Sequence, residues 1–388
     1  MKTKIAILGS TGSIGKTLVN IIKKDNKNFE IILLSADGNY NELVKQAKYF
    51  KVKNLIITNE ESYIKLKKNR FTKNIQVFRN FDNFNKIFKQ KVDYTMSAIT
   101  GIEGLKPTID IIKYSKKIAI ANKESIICGW NLIEKKLKKH KTKFVPVDSE
   151  HFSIWYALRN VDKSLIDKIY ITASGGPFLN TPLNKLKKVN INQAIKHPNW
   201  KMGKKISVDS ATMMNKVFEI IEAKKIFNLS YNKISILIHP KSYVHAIIKF
   251  KNGLTKLVVH DTNMKIPIAN SLYSSSKIIN SKSLNLKILN NLDFKEIDNK
   301  RFPVTKILKI LPKNSSLFEN ILVSTNDKLV DLFLNKKIKF TDIQKILFQI
   351  INDDKFKKFK FKKPKNVKEI IKLDEIVDSK INKIVYKI

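Results

Sequence analysis

KIAILGSTGSIG, residues 4–15, decides how the N-terminal part of this 388-residue chain is read. KIAIL is a short apolar strand. It enters a turn carrying Gly9, Gly12 and Gly15, after which Ile14, Leu18, Ile21 and Ile22 recur at helical spacing. Strand, glycine-rich turn and helix, in that order, is the context in which such a turn binds a dinucleotide. The first glycine turns the chain, the second lets a pyrophosphate approach and the third packs helix on strand, with the phosphates at the helix N-terminus. Taken by its spacing alone, the turn is only moderately specific, and a plain tight connection is the alternative.

Working outward, apolar segments at 30–35, 53–57, 75–78, 92–98, 117–121 and 143–147 alternate with helical patterns near 40–50, 60–69, 81–89, 104–115 and 123–139. That alternation predicts a Rossmann-like, doubly wound parallel sheet. The second strand ends in SADGN. An acid about 20 residues past the glycine turn selects NAD through the ribose 2′-OH, but Asp37 lies just beyond the strand end, which weakens its vote.

Four further stretches carry chemistry. IAIANKES, 118–125, puts Asn122, Lys123 and Glu124 at the carboxyl end of a strand, where open α/β sheets bind ligands; a surface charge pair would look the same. In VPVDSEH, 145–151, an extended backbone would turn Asp148 and Glu150 to one side, as two oxygen donors for a hard divalent cation or as two solvated acids. YITASGGPF, 170–178, reads as a strand entering a turn whose N–H groups and Ser174 hydroxyl suit a phosphate. HPNWKMGKKISVDSATMMNKVFEIIEA, 197–223, reads as an irregular cover, a strand, and a helix starting near Ala211. There Ser210 is the expected N-cap, with Asp209 complementing the helix dipole. Asn215, Glu219 and Glu222 then share a face, with Lys216 beside Glu219. That face is either a solvated stripe or an anion site of Ser210, Asn215 and Lys216, with Glu219 as a metal carboxylate.

Farther on, IHPKSYVHAIIKF and TKLVVHDTNMKIPIA read as β-like segments divided by a hairpin at Asn252-Gly253. His239, His245 and His260 are expected to be structural or rim residues. Residues 276–300 are polar and read as a connecting arm, and from 301 the pattern is helical. The domains expected are a Rossmann-like nucleotide domain at 1–147, a central α+β catalytic domain at 148–275, the arm, and a small C-terminal helical domain at 301–388.

The net charge is +42, from 75 Lys and Arg against 33 Asp and Glu. Lysine is spread over nearly every element rather than gathered in a stripe, and no zinc-finger, RNP or basic-helix pattern occurs, so nucleic acid is not the expected partner. A positive field favours anionic small molecules. One cysteine, Cys128, excludes an intrachain disulfide, and the chain opens directly into a strand, so a cytoplasmic protein without a membrane span is expected.

GSTGSIG, ANKES, PVDSEH, SGGPF, the whole of 197–223 and HPKSYVH, in one colinear order, closely resemble the 1-deoxy-D-xylulose 5-phosphate reductoisomerase family. The resemblance implies rearrangement of 1-deoxy-D-xylulose 5-phosphate and NADPH-dependent reduction to 2-C-methyl-D-erythritol 4-phosphate, in non-mevalonate isoprenoid synthesis. It implies Mg²⁺, Mn²⁺ or Co²⁺ on Asp148, Glu150 and Glu219, where a divalent cation would polarise the substrate carbonyl. Ser174, His197, Ser210, Asn215 and Lys216 match substrate contacts, mostly around the phosphate, and Ser149 and Lys123 match contacts at the reacting end. Thr11, Gly12, Ser13, Ile14, Asn122, Glu124 and Gly203 match NADPH contacts, with Asp37, Gly38 and Asn39 in the loop after the second strand. Trp200 and Met202 match a flexible lid, 197–203, and the family implies a homodimer. Three departures stand out: Val217 where the family usually has Gly, EHFSIWYAL in place of a more polar run, and no basic residue in SADGN to pair a 2′-phosphate.

Overall fold

Apolar runs that do not alternate make strands buried on both faces, as parallel sheets require. Ile5, Ala6, Ile7 and Leu8 are all 0% exposed, and each fully buried Ile or Leu contributes about 1.5–3 kcal/mol. In the computed structural model, which describes residues 1–273 and 279–386, seven such strands form one sheet. They are β1 Thr3–Leu8, β2 Phe29–Ala36, β3 Asn54–Ile57, β4 Gln76–Phe78, β5 Val92–Ser97, β6 Ser115–Ile120 and β7 Lys143–Pro146. The order is β4-β3-β2-β1-β5-β6-β7 and every pairing is parallel. Helices Ser13–Lys23, Tyr40–Phe50, Glu60–Lys67, Leu105–Ile111 and Lys123–His140 lie among the crossovers. The strand order reverses between β1 and β5, so the crevice that binds ligands in such sheets opens beside the turn after β1.

This sheet belongs to one of two compact units, made of Met1–Ser125, Asn131–Asp148 and Met264–Ile279. The last segment is a correction to the expected β-like reading of 255–269, because only Thr255–Val259 is strand and Lys265–Leu272 is helix. Pro267 is tolerated there because the first helical turn has no N–H partner to lose. Ile268, Ala269 and Leu272 join the sheet's core cluster. Tyr94 Oη and Ser271 Oγ are 2.7 Å apart, and Tyr273 Oη donates to Asp25 at 2.9 Å.

The second unit comprises Ile126–Trp130, Ser149–Asn263 and Asn280–Ile388. Its sheet runs β11-β10-β8-β9, with β8 Ile166–Ala173, β9 Ile234–Ile238, β10 Val244–Phe250 and β11 Thr255–Val259. β8 and β9 are parallel and the other pairings antiparallel. Helices Ser149–Ala157, Lys204–Thr212, Met214–Phe227, Leu317–Leu334, Phe340–Ile351 and Val367–Val385 belong here too. Within it, Lys225 Nζ donates to Glu319 and to the Ile127 carbonyl, both at 2.7 Å, joining the middle of the chain to the C-terminal helices. The expected arm contains the short Leu286–Leu289 helix, and Lys295 bridges Ile238. The expected boundary at 275/276, positions 276–278 and the last two residues lie outside the described residues.

Four local expectations are corrected. No strand precedes the central helix: Lys204–Thr212 is already helical, Met213 closes it in the left-handed region at φ 69°, and Met214–Phe227 follows. Ser210 is therefore inside a helix and not an N-cap. Asp209 is buried and accepts Asn326 Nδ2 at 2.7 Å rather than complementing a dipole. The backbone is also not extended through Glu150, because helix starts at Ser149.

The glycine turn is sterically graded. A Cβ on Gly15 would stand 2.3 Å from the Gly9 carbonyl oxygen, whereas one on Gly12 would meet only that oxygen at 3.5 Å. Gly15→Ala is therefore expected to cost about 1–3 kcal/mol by overpacking, seen as a lowered urea midpoint, while Gly12→Ala stays near wild type.

Candidate active site

In the first unit the helix after the glycine turn begins without a side-chain cap, and Gly12 and Ser13 are exposed there while Thr11 and Ile14 are half-buried. Open N–H groups at such an end attract phosphate oxygens. Asp37 is exposed, and its Oδ1 accepts Thr58 Oγ1 at 2.7 Å. The Gly38 carbonyl accepts from Ser62 Oγ at 2.8 Å, and Asn39 caps the next helix by accepting the Glu42 N–H. Asn122 caps the Lys123–His140 helix through Oδ1, and its amide donates to the carbonyls of Ile99 and Gly101. One residue on, Lys123 Nζ donates to Asp148 at 2.7 Å, and Glu124 is buried.

In the second unit the Ser149–Ala157 and Met214–Phe227 helices bring their acids to one ammonium. Lys216 Nζ donates to Glu150 at 2.5 Å and to Glu219 at 2.6 Å. Asn215 Nδ2 also donates to Glu219, and Ser149 Oγ donates to Glu150 at 2.6 Å. Burial works against the Lys216 charge, but Glu150 and Glu219 more than offset it and hold its pKa above the ordinary lysine value. Glu219 is 1% exposed and Glu150 8%. The shared face predicted for Asn215, Lys216 and Glu219 is thus a buried polar cluster, not a solvated stripe. Glu222, also expected on it, lies instead 4.0 Å from His151 Nδ1.

Ser174 and His197 meet across 23 residues of sequence. His197 Nδ1 accepts the N–H groups of Asn199 and Trp200, at 3.1 and 3.0 Å. The ring proton is therefore on Nε2, which donates to Ser174 Oγ at 3.0 Å. Ser174 Oγ also accepts the Gly176 N–H at 3.1 Å, so its own proton remains available to a ligand. Gly176, at φ 68°, lies against the Ser210 and Ala211 backbone, where a Cβ would stand 2.7 Å from the Ser210 carbonyl oxygen. The glycine thereby lets the Ser174 turn approach the helix carrying Ser210. Trp200 and Met202 are half-buried in the following loop, and Gly203 starts the next helix with no protein atom within 4 Å of where a Cβ would be.

His151 ends the VPVDSEH motif and carries no role in the sequence reading. It is fully buried, and its Nε2 donates to the Glu219 carbonyl at 2.8 Å, fixing one acid-bearing helix against the other. Its signal was its place beside Glu150. Of the histidines expected to be structural, His239 stacks on Phe294 and His245 on His260. Val217 is fully buried within an intact helix, so its bulk enters the core.

Three family models match in chain order: 1-deoxy-D-xylulose 5-phosphate reductoisomerase over residues 5–129, the C-terminal domain of that enzyme over 144–227, and the DXP reductoisomerase C-terminal domain over 260–379. The reductoisomerase of Pelagibacter ubique is 61% identical over 382 residues, 98% of each chain. The chain belongs to the 1-deoxy-D-xylulose 5-phosphate reductoisomerase family. The reductoisomerase of Clostridium tetani is 37% identical, over 96% of this chain and 97% of its own. Among solved structures, the Zymomonas mobilis reductoisomerase in complex with NADPH matches with a TM-score of 0.88 at 30% identity over all of both chains. A reductoisomerase structure with NADPH, fosmidomycin and magnesium matches at 0.89 and 30%, over 99% of this chain and 98% of that one.

In this reductoisomerase, burial first and the Lys216 charge second press the His197 pKa down to about 4 from 6.5, against an opposing pull from Glu150. Between those values the unfolded chain binds more protons than the folded one. The stability this histidine contributes is complete above its unfolded value and is lost as pH falls toward 4. His197→Gln cannot titrate, so its urea midpoint should fall less than that of the wild type between about pH 7 and about pH 5.

Proposed function

We propose that this reductoisomerase rearranges 1-deoxy-D-xylulose 5-phosphate and reduces the branched aldehyde to 2-C-methyl-D-erythritol 4-phosphate with NADPH and a divalent cation. The observation that carries the proposal is the convergence of Glu150 and Glu219 on one buried positive charge. Carboxylates so arranged fit a hard cation, and Asp148, two residues before Glu150 in the chain, is proposed as the third oxygen donor. Bound there, Mg²⁺, Mn²⁺ or Co²⁺ would supply polarisation of the substrate carbonyl. NADPH, the cofactor in the Zymomonas mobilis complex, would supply the hydride.

The remaining work falls to the chain. Lys216 balances the two acids before any metal enters. Ser174, with its hydroxyl proton available, together with Ser210, Asn215 and Lys216, is proposed to take the substrate phosphate, with His197 holding Ser174. Lys123 and Ser149 orient the reacting end through Asp148 and Glu150. The glycine turn, Thr11 to Ile14, is proposed to hold the cofactor pyrophosphate, and Asp37, Gly38 and Asn39 its adenosine end. Asn122, Glu124 and Gly203 complete that proposed cofactor set. Trp200 and Met202 would cover the substrate and exclude water. The charge of +42 draws anionic substrate and cofactor alike.

We also propose a cytoplasmic homodimer. Cys128, the sole cysteine, is buried, and among the described residues no helix is long and apolar enough to cross a membrane. β11 is an edge strand in which Leu257 is 45% exposed, and Leu254 just before it is 64% exposed. Unpaired apolar edges favour pairing with a second copy. Leu257→Glu is expected to shift the protein toward monomer in light-scattering chromatography; an unchanged mass would remove this edge from the interface.

The activity is tested by NADPH oxidation in the presence of 1-deoxy-D-xylulose 5-phosphate and Mg²⁺ or Mn²⁺, with NADH and EDTA controls. Glu219→Gln is expected to lower kcat about 100-fold or more while leaving NADPH affinity nearly unchanged. Equal loss of both would remove Glu219 from the metal.

A further inference from the structure

β10 and β11 lose register between Val244 and Ala246: Val244 faces Val259 and Ala246 faces Val258. His245 is therefore the additional residue of a bulge, a device that re-aims a side chain. Its ring lies flat on His260, with centroids 3.6 Å apart and planes 11° from parallel. It meets Trp200 edge-on at 5.9 Å and 74°. His245 Nε2 donates to the His260 carbonyl at 3.1 Å, and His260 Nδ1 donates to the Asp261 carbonyl at 2.8 Å. A carbonyl can only accept, so both tautomers are set. Phe152 stands edge-on to His260 at 6.4 Å, and Ser153 Oγ is 3.5 Å from its Nε2. Burial lowers the pKa of both histidines, more so for His245, which keeps the stacked pair neutral.

We propose that His260 is a positioning residue for the lid, holding Trp200 in place through the ring of His245. The inference deepens the functional reading and rests on residues 197–203 being the lid. His260 also bonds the Ser149 main chain and feels the Glu150 charge; its ring supports the ring that Trp200 leans on. The bond from His245 ends on the His260 main chain, so removing the His260 side chain spares that bond while it removes the stack together with the bond to Asp261 and the contacts to Phe152 and Ser153.

The test uses the full-length enzyme with NADPH, Mg²⁺ and 1-deoxy-D-xylulose 5-phosphate. His260→Ala is expected to raise the substrate KM roughly 2- to 10-fold, the scale of one aromatic contact, with kcat and the KM for NADPH little changed. His260→Phe restores the flat surface and should return KM close to wild type. Trp200→Ala raises KM, and adding His260→Ala to it should do nothing further. Tryptic cleavage after Lys201 and Lys204 in substrate-free protein is expected to quicken in His260→Ala and not in His260→Phe. Unchanged KM and cleavage in His260→Ala, a His260→Phe as impaired as the alanine variant, or additive effects in the double variant would each overturn the proposal. Trp200→Ala without effect would overturn it through the lid. A wild-type enzyme that fails to turn over the substrate would refute the functional reading, and the tryptic comparison would still decide the role of His260.

Discussion

One ammonium, on Lys216, keeps two buried acids from repelling each other. Glu150 and Glu219 come from different helices, and neither could stay ionised at such burial without a counter-charge. Taking one partner from a buried ion pair costs about 3–5 kcal/mol, because the other charge is left uncompensated. The arrangement is therefore a constraint on the fold as much as on the chemistry. The Ser149–Ala157 and Met214–Phe227 helices must approach at this point, and a cation must always be present between them.

Other contacts make that approach rigid. His151 bonds the Glu219 carbonyl, so the acid's own backbone is gripped by the neighbouring helix. Two turns farther along, Lys225 is tied to Glu319, which also accepts the Ser316 N–H in a capping box. Asp209 takes Asn326 from the same Leu317–Leu334 helix. The C-terminal helices thus act as a clamp on the outer side of the helices that carry Ser210, Asn215, Lys216 and Glu219.

What could be read from the sequence followed from how local each signal was. The seven parallel strands were legible because burial on both faces leaves an unbroken apolar run, as in Ile5 to Leu8. The acids, Lys216 and the Ser174 turn were legible because their residue types sit in short motifs. The residues just before Ala211 were misread as a strand because the partner of Asp209 lies 117 residues away, and without Asn326 the aspartate resembles a charge at a helix start. Residues 265–269 looked β-like because Ile266 and Ile268 alternate around Pro267, whereas the core they fill belongs to the first sheet. The pairing of His245 with His260 depends on a bulge, which no spacing rule reveals.

The return of Lys265–Leu272 to the first sheet bears on how the protein is made. The ribosome delivers all seven strands of that sheet by residue 146, yet the cluster beneath them still lacks Ile268, Ala269 and Leu272, and Tyr94 still lacks Ser271. At about 5–20 residues per second, the emerging chain spends on the order of ten seconds with an unfinished core. During that interval the nascent N-terminal sheet would present apolar surface to chaperones and to neighbouring chains. The N-terminal sheet is thus a module that its own synthesis cannot complete in order.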